Sequence, residues 1–439
     1  MTDFWDSHPD GDQKLLRLPT GGAKWLAWPD KEADPADPGS KRISGCRAQV
    51  EDTLANALHS TNVVVLLGSG SSFCAKNVGV TKAPSMWHLW HAVRDAYGQA
   101  AFDKIAEDVM GCVPVAGFEN IEGLLSLCKM SVELLEVKAT NDAAFTERPK
   151  LEALKAFIVA AEKTILKQVD FVDEDTELPA HMAFVRKFAR RSPEKPRVKL
   201  FTTNYDLCIE TAASRLGVVL LDGFSHTVVQ RFNRDNFQHD IVRRAATSTK
   251  ADYLDGVFHL YKLHGSVDWR RQVDGVVIRS QVEPTPERKP VLIYPRSTKY
   301  QEAFETPYLD MFAALQAALR EPDTTLIVSG FGFADDHISA PIWSAIETNL
   351  SMRVILCDRG FIPKQRLDGL DTQEIVVELD YQKGDYQKKI IKLVRQGDSR
   401  ITVLNGRFED LAQAMPESSG KTDRQLLQER LGRLGEAEG

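Results

Sequence analysis

The sequence predicts an α/β protein built on a doubly wound parallel sheet. Apolar runs rich in β-branched residues recur along the chain, and such runs are typical of strands that are buried on both faces of a parallel sheet. Helical patterns separate these runs, and this alternation favours parallel strands with helices packed on both faces. The chain has 439 residues, of which 43% are hydrophobic and 27% charged, and this length allows an ample core.

We predict three parts along the chain. They are an irregular arm at residues 1–45, a main domain at 46–415 that includes a mostly helical insertion at about 84–195, and a charged tail at 416–439. The arm is rich in Pro, Gly and Asp and shows no period. The insertion shows long helical patterns with few strand-like runs. The tail is charged and Gln-rich, and its leucines allow a terminal helix.

The strands of the sheet can be assigned from the apolar runs. In chain order, the predicted strands are residues 62–67, 198–201, 217–221, 257–263, 324–329, 353–357 and 400–406. The predicted helices outside the insertion are residues 44–60, 207–213, 307–320, 342–350 and 408–415. The carboxyl ends of parallel strands meet at one edge of the sheet, so the turns that follow these runs are expected to lie close together.

Composition and charge exclude several classes of function. The net charge of −7 gives no overall attraction to nucleic acid or to an anionic membrane. The six cysteines are scattered without a Cys-x-x-Cys pair, which argues against structural zinc and is typical of reduced thiols in the cytosol. No stretch approaches about 18 apolar residues, and the N-terminus does not resemble a signal peptide. We therefore predict a cytoplasmic protein without membrane contact.

A polar turn follows the predicted strand at residues 198–201. Its residues, Thr202-Thr203-Asn204-Tyr205-Asp206, place an amide, a carboxylate and hydroxyls where a strand hands over to a helix. Ligands bind at such strand ends, because helix N-termini and loop side chains converge there. Helix capping is the alternative role for Asn and Asp. We expect capping from Asp206 or the Tyr205 backbone, and chemistry from Asn204.

Four other strand ends carry glycines or polar residues. Gly68-Ser69-Gly70-Ser71-Ser72 offers backbone N–H groups and hydroxyls to a phosphate, although it lacks the lysine of a P-loop, which argues against an ATPase. His264 follows another strand, where an imidazole can act as a general base. Gly330 and Asp358 follow the next two strands. Together these turns predict a crevice for a nucleotide-like ligand, with Asn204 and His264 available for chemistry.

These motifs resemble those of the sirtuin family in order and approximate spacing. The glycine-serine loop is similar to the family's Gly-Ala-Gly-x-Ser loop, and the turn at 202–206 is similar to its Thr-Gln-Asn-Ile-Asp turn. Leu263-His264-Gly265 is similar to the family's catalytic His-Gly, and the segment at 330–338 is similar to its late glycine segment. The resemblance covers about residues 46–415 and implies a Rossmann-like, NAD-binding domain. The variant forms at 202–206, 294–299 and 330–338 look like the bacterial sirtuin-like antiphage effectors, which hydrolyse NAD outright.

The resemblance also implies a role for each site residue. Asn204 and Asp206 would hold the nicotinamide carboxamide and position water, and His264 would act as the base or orient the ribose hydroxyls. The cofactor-binding residues would be Gly68, Gly70, Ser71, Ser72, Thr203, Gly330, Gly332 and Asp358. Within this set, the first loop would hold the diphosphate and the nicotinamide-side ribose, and Asp358 a ribose or the adenine. NAD would be the substrate, and no metal site is expected.

The function implied is that of an NAD+ hydrolase that releases nicotinamide and ADP-ribose and depletes NAD in antiphage defence. Effectors of this length resemble the subunit that assembles with a HerA-type ring ATPase, so we expect that partner, a homo-oligomer, and only indirect contact with nucleic acid. One alternative is an NAD-binding or ADP-ribose-binding regulatory module without catalysis, which the presence of Asn204 and His264 disfavours. The other is an NAD-dependent protein deacylase, which the absence of the family's four zinc cysteines disfavours.

Overall fold

The computed structural model describes residues 14–417 except 31, 34, 37–38, 116–118, 143–144, 245–251, 283, 286–287, 293–305 and 363–383. The strands in these residues are β1 (Leu16–Leu18), β2 (Leu26–Ala27), β3 (Asn62–Leu67), β4 (Lys76–Asn77), β5 (Val80–Thr81), β6 (Val198–Thr202), β7 (Val219–Leu221), β8 (Val242–Arg243), β9 (Asp252–Tyr253), β10 (Val257–Lys262), β11 (Gly265–Gln272), β12 (Val277–Arg279), β13 (Arg288–Leu292), β14 (Thr324–Ser329), β15 (Arg353–Cys357) and β16 (Ile401–Asn405). The α-helices are α1 (Arg47–His59), α2 (Met86–Tyr97), α3 (Gln99–Met110), α4 (Ile121–Asn141), α5 (Arg148–Val169), α6 (Pro179–Ala189), α7 (Cys208–Leu216), α8 (Tyr308–Arg320), α9 (Asp336–Thr348), α10 (Asp385–Arg395) and α11 (Phe408–Ala414).

A nine-stranded sheet organises the described part of the chain. Its order is β2-β1-β16-β15-β14-β3-β6-β10-β7. The strands from β16 to β7 run parallel to one another, and β1 and β2 add antiparallel pairs at one edge. Every strand that was predicted from an apolar run lies in the parallel part. The predicted α/β fold with a doubly wound parallel sheet is confirmed.

The alternating side chains of the central strand show why the sheet is covered on both faces. Val64 and Leu66 of β3 belong to one core with residues of α8, α9 and α10. Val63, Val65 and Leu67 belong to a second core with residues of α1, α6, α7 and α11. Successive side chains of a strand point to opposite faces, so a continuous apolar run supplies both cores. Burial of each such side chain contributes about 1.5–3 kcal/mol.

The order of the strands reverses at the boundary between β3 and β14. From β3 the chain builds outward through β6 to β7 and β10, and it then returns to place β14 on the other side of β3. In open α/β sheets the loops diverge at such a switch point and leave a crevice outside the carboxyl ends of the strands. The topology therefore places the loops after β3, β6, β10 and β14 around the expected ligand site.

The helical insertion is shorter than the sequence indicates. Helices α2–α5 form a third core of their own, which includes Trp90, Phe102 and Phe157. In contrast, α6 packs on the sheet through Phe184 and Phe188 and serves as the crossover helix before β6. The insertion therefore corresponds to α2–α5, and the residues up to about 195 that were assigned to it belong to the doubly wound domain.

Two other regions differ from the sequence-based expectation. Residues 1–45 were predicted to be irregular, but β1 pairs with β16 in register Leu16 to Asn405, and β2 pairs with β1. Such short edge strands leave no readable period in a Pro-rich and Asp-rich segment. An antiparallel sheet of β12, β11 and β13 begins directly after His264 and was not foreseen as a unit. The 294–299 motif and the proposed tail helix lie outside the described residues.

Candidate active site

A cavity of about 260 Å³ lies at the switch point of the sheet. Its walls come from the loops after β3, β6, β10 and β14, and from residues of the helical insertion. Met86 and Leu89 of α2 and Val169 at the end of α5 supply apolar lining. The carboxyl edge of the sheet therefore forms one side of the cavity, and the insertion covers the other.

Hydrogen bonds fix the side chain of Asn204 in one orientation. Its Nδ2 donates to the Gly68 carbonyl at 3.0 Å and to Ser72 Oγ at 2.8 Å. Ser72 Oγ in turn donates to Asp206 Oδ2 at 2.6 Å, so the serine must accept from Asn204. The amide nitrogen thus faces the β3 loop. Asn204 Oδ1 is shielded from solvent and has no hydrogen-bond partner among the described residues.

The carboxylate of Asp206 connects this network to the start of α7. Its Oδ1 accepts from the backbone N–H of Cys208, the first residue of the helix, at 3.0 Å. Capping was expected from Asp206 or the Tyr205 backbone; the N-cap residue of α7 is Leu207, and the carboxylate that accepts from the first helical N–H is that of Asp206. Because one oxygen accepts from the first residue of α7 and the other accepts from Ser72, the turn after β6 and the loop after β3 are tied together through a buried carboxylate.

A buried lysine holds the backbone of the same turn. Lys262, at the end of β10, donates from Nζ to the carbonyls of Tyr205 at 3.2 Å and Asp206 at 2.5 Å. The same ammonium lies 2.8 Å from Glu210 Oε1 on α7. Burial raises the pKa of Glu210 above its ordinary value, against the opposing charge of Lys262. This ion pair positions the two residues that follow Asn204.

His264 lies across the cavity from this turn and is paired with a carboxylate. The imidazole is 4% exposed, and its Nε2 lies 3.1 Å from Asp335 Oδ2. Asp335 follows β14 and caps α9, where its Oδ1 accepts from the backbone N–H of His337 at 3.2 Å. The His264 ring is 6.4 Å from the ring of Tyr205. The loops after β6, β10 and β14 thus converge on one imidazole.

The glycines of the first and last loops pack against each other. Gly70 N donates to the Gly330 carbonyl at 3.0 Å, and a Cβ on Gly68 would lie 2.5 Å from the same oxygen. Gly330 has φ +64°, and a Cβ there would lie 2.4 Å from Ser71 N. Only glycine satisfies both the close approach and this backbone conformation. Three glycines of the proposed cofactor loops are thus required for contact between the loops themselves.

The charged side chains among the described lining residues of the cavity are acidic. Its described lining residues include the carboxylates of Glu122, Asp206 and Asp335, and they include neither lysine nor arginine. Tyr205 Oη contacts Glu122 at 3.5 Å, which links the turn after β6 to the start of α4. A cavity of this composition favours a cationic group over a phosphate.

The predicted site residues fall into two groups. Those that line the cavity are Ser72, Thr203, Asn204, Asp206, His264, Gly330 and Gly332. Gly68, Gly70 and Ser71 do not line it and pack behind Asn204 and Gly330. Asp358 follows β15 and caps a short 3-10 turn by accepting from Gly360 N at 2.6 Å, and it is not among the lining residues. Its proposed contact with a ribose or adenine stays a prediction.

Sequence reasoning missed three residues of the site. Asp335 was noted only as part of a motif, although its position at a strand end before a helix is a signal for a cap or a ligand contact. Glu122 stands at the start of an insertion helix, and Lys262 ends a strand that reads as apolar. Nothing in the local pattern of these two residues indicates that they reach the cavity or its supporting turn.

One family model matches part of this chain. Residues 198–367 match the family model of the SIR2-like domain. The match begins at β6 and includes the turn at 202–206, His264, the loop after β14 and Asp358, and it does not include the loop after β3. No curated protein matches the chain.

Solved structures of Sir2 enzymes are also similar to this chain. One Sir2 enzyme, studied for its mechanism and regulation, is 13% identical with a TM-score of 0.31, and the match covers 80% of this chain and 98% of that one. A Sir2 variant bound to a deacetylated p53 peptide and 3′-O-acetyl ADP-ribose is 10% identical with a TM-score of 0.32, again with 80% and 98% coverage.

Two further features of the described residues concern other classes of site. No group of three or more His, Cys, Asp or Glu side chains there is arranged to hold a metal ion. In the same part of the chain, no helix combines the length and the apolar character needed to cross a membrane.

Proposed function

We propose that this protein hydrolyses NAD+ to nicotinamide and ADP-ribose in the cavity at the switch point. The observation that carries the proposal is the fixed orientation of Asn204 in the cavity that the paired His264 also lines. The amide nitrogen is committed to Gly68 and Ser72, and Oδ1 is a buried acceptor without a partner in the described structure. An unsatisfied buried acceptor costs about 1–3 kcal/mol, and a donor on a ligand or a bound water would remove that cost.

The chemistry of the reaction defines which groups the cavity must supply. The bond between nicotinamide N1 and the anomeric carbon of the ribose breaks, and its electron pair neutralises the pyridinium ring. A water oxygen bonds to the anomeric carbon and gives up a proton. Because nicotinamide leaves as a neutral molecule, no general acid is required. The protein must hold a cationic ring, stabilise positive charge on the ribose, orient water and accept a proton.

The described side chains can be assigned to these tasks. The carboxylates of Glu122, Asp206 and Asp335 supply a negative environment for the cationic ring and for the oxocarbenium-like ribose. Asn204 Oδ1 accepts from the carboxamide N–H or from the attacking water, and His264 accepts the proton. These roles agree with those that the sirtuin resemblance implies for Asn204 and His264.

The size of the cavity suggests which end of the substrate it holds. Its volume of about 260 Å³ is slightly below the roughly 300–1,000 Å³ of sites that enclose drug-sized ligands. A dinucleotide would therefore extend beyond it. The absence of lysine and arginine among the described lining residues favours the nicotinamide riboside end inside the cavity, with the diphosphate outside. Backbone N–H groups of the flanking loops could receive the phosphates there.

We also propose a biological setting, which rests on the motif resemblance alone. NAD hydrolysis would serve antiphage defence in the cytoplasm, by a homo-oligomer that acts with a HerA-type ring ATPase. Co-expression with an ATPase encoded next to the gene, followed by affinity purification and size-exclusion chromatography, tests the partnership. Separate elution of the two proteins at micromolar concentration would refute it.

The hydrolysis itself is tested by incubating the purified protein with NAD+ and measuring released nicotinamide and ADP-ribose. We expect Asn204→Ala and His264→Ala each to lower the rate at least about 100-fold, because each removes a group that acts at the reacting centre. Asn56→Ala provides a matched control, since Asn56 is exposed on α1 and does not line the cavity.

The other outcomes of the experiment separate the alternatives. Absence of nicotinamide release, with the neighbouring ATPase present as well, would contradict hydrolysis and leave a regulatory NAD-binding module as the candidate. Calorimetric titration of ADP-ribose into the same protein would then test that module. Release that requires an acylated peptide would instead indicate a deacylase.

A further inference from the structure

We propose that Asp335 is a positioning residue that holds the His264 imidazole in one tautomer and one orientation for proton removal. The catalytic consequence rests on the proposed NAD+ hydrolysis, whereas the pairing of the two side chains does not. Asp335 lies 71 residues after His264 in the chain, and the fold brings them together at the cavity.

The carboxylate of Asp335 is held in place by the start of a helix. Its Oδ1 accepts from the backbone N–H of His337 and caps α9, while Oδ2 lies 3.1 Å from His264 Nε2. The side chains are 11% and 4% exposed, so water competes little for the contact. Rotation of the carboxylate away from His264 would also disturb the helix cap. The geometry therefore fixes the carboxylate before any ligand binds.

This arrangement sets the tautomer of the imidazole. A carboxylate near Nε2 favours a proton on that nitrogen, which leaves the basic lone pair of the neutral ring on Nδ1. When the ring accepts a proton from water, the same carboxylate stabilises the imidazolium. The contact has ion-pair distance but is not aligned as a strong hydrogen bond here. Catalytic hydrogen bonds are often poorly aligned before substrate binds.

Other charged groups face the same space. Glu122 from α4 and Asp206 from the turn after β6 line the cavity with His264, and the Tyr205 ring packs 6.4 Å from the imidazole. Lys262 directs its ammonium to the carbonyls of Tyr205 and Asp206. All of these side chains are retained in an Asp335 variant. A change of His264 on that replacement can therefore be attributed to Asp335.

The first test replaces the charge and keeps the cap. Asn is a favoured N-cap, so Asp335→Asn should preserve α9, and Asp335→Ser provides a second capping residue without charge. We expect both variants to lower kcat about 10- to 100-fold with little change in KM, and Asp335→Glu to recover part of the loss. Asp336→Asn is the matched control, because Asp336 is the adjacent exposed carboxylate in the first turn of α9.

The pH profile separates positioning from a merely structural role. Loss of the carboxylate removes an interaction that favours imidazolium, so the acidic limb of kcat/KM should move to lower pH in Asp335→Asn. A structural defect alone would lower the whole profile without moving the limb.

A second measurement does not depend on activity. Titration of the His264 ring by NMR, assigned with His264→Gln, should show an apparent pKa lower by about one pH unit in Asp335→Asn. A shifted titration in a wild-type protein that releases no nicotinamide would uphold the pairing and refute the hydrolysis. An unchanged titration would overturn the proposal. A shifted titration with wild-type kcat would equally overturn the positioning role.

Discussion

At the scale of single residues, the site depends on buried charges that are satisfied in pairs. Lys262 is 1% exposed and donates to two carbonyls and to Glu210. A buried ion pair adds little net stability over apolar residues, but loss of one partner leaves the other charge uncompensated. The value of this pair therefore lies in holding the carbonyls of Tyr205 and Asp206.

We expect Lys262→Met to lower the free energy of unfolding by about 3–5 kcal/mol, because it leaves the half-buried carboxylate of Glu210 without its cation and the carbonyls of Tyr205 and Asp206 without their donor. The double variant Lys262→Met/Glu210→Gln should recover part of that loss. Urea denaturation of the single and double variants measures both values. Equal destabilisation of the single and the double variant would show that the contacts of Lys262 with the carbonyls of Tyr205 and Asp206, and not the Glu210 charge, dominate its effect on stability.

The residues of the site were predictable only where a local pattern marks them. Asn204, Asp206 and His264 stand directly after apolar runs, so the sequence placed them at the carboxyl edge of the sheet. The pairing of His264 with Asp335 was not predictable, because it depends on how far the loop after β14 reaches over the neighbouring strand ends. Lys262 was hidden at the end of a strand in which the other residues are apolar or aromatic except for His259.

At the scale of elements, the loops after β3 and β14 form one unit through their glycine backbones. Gly330 has a left-handed φ of +64°, and an added Cβ would lie 2.4 Å from a backbone nitrogen. Gly332, two residues later, has no atom within 4 Å of such a Cβ and lines the cavity. The two glycines therefore differ in whether the fold itself requires them.

This difference predicts opposite results for two alanine substitutions. Gly330→Ala should lower the free energy of unfolding by at least about 2 kcal/mol and abolish activity, because the left-handed conformation alone costs about 1–2 kcal/mol. Gly332→Ala should fold with wild-type stability. Thermal denaturation and an NAD+ titration measure both properties. Weakened NAD+ binding by a stable Gly332→Ala would support close ligand approach at Gly332, and wild-type binding would contradict it.

The elements themselves were predictable in proportion to their burial. Strands such as β3 and β14 are apolar throughout because helices cover both faces, and this composition is readable from sequence alone. The edge strands β1 and β2 have three and two residues, too few to show a period. The boundary of the insertion was misplaced because α6 has the same helical pattern as α5 and differs only in what it packs against.

At the scale of the whole molecule, buried histidines make stability depend on pH. Burial lowers the pKa of both His181 and His259 to about 4, compared with about 6.5 in an unfolded chain. The folded state therefore holds both rings neutral. Between about pH 6.5 and pH 4 the unfolded chain binds more protons, so the stabilisation is present above this window and is lost as the pH falls through it.

We expect the free energy of unfolding to fall by about 2 kcal/mol per histidine between about pH 7 and pH 5. His259→Gln should flatten this dependence, since it removes one of the two rings. His239→Gln is the control, because His239 is exposed. Urea unfolding at a series of pH values gives the slopes, and the same slope in His259→Gln as in the wild type would contradict the prediction.

The cavity belongs to the sheet and to the helical insertion together. Tyr205 packs in the core of α2–α5, although its neighbours Asn204 and Asp206 belong to the turn after β6. The insertion is therefore packed directly against the turn that presents Asn204. A displacement of helices α2–α5 would therefore move Tyr205 and, through the backbone, the turn that carries Asn204 and Asp206.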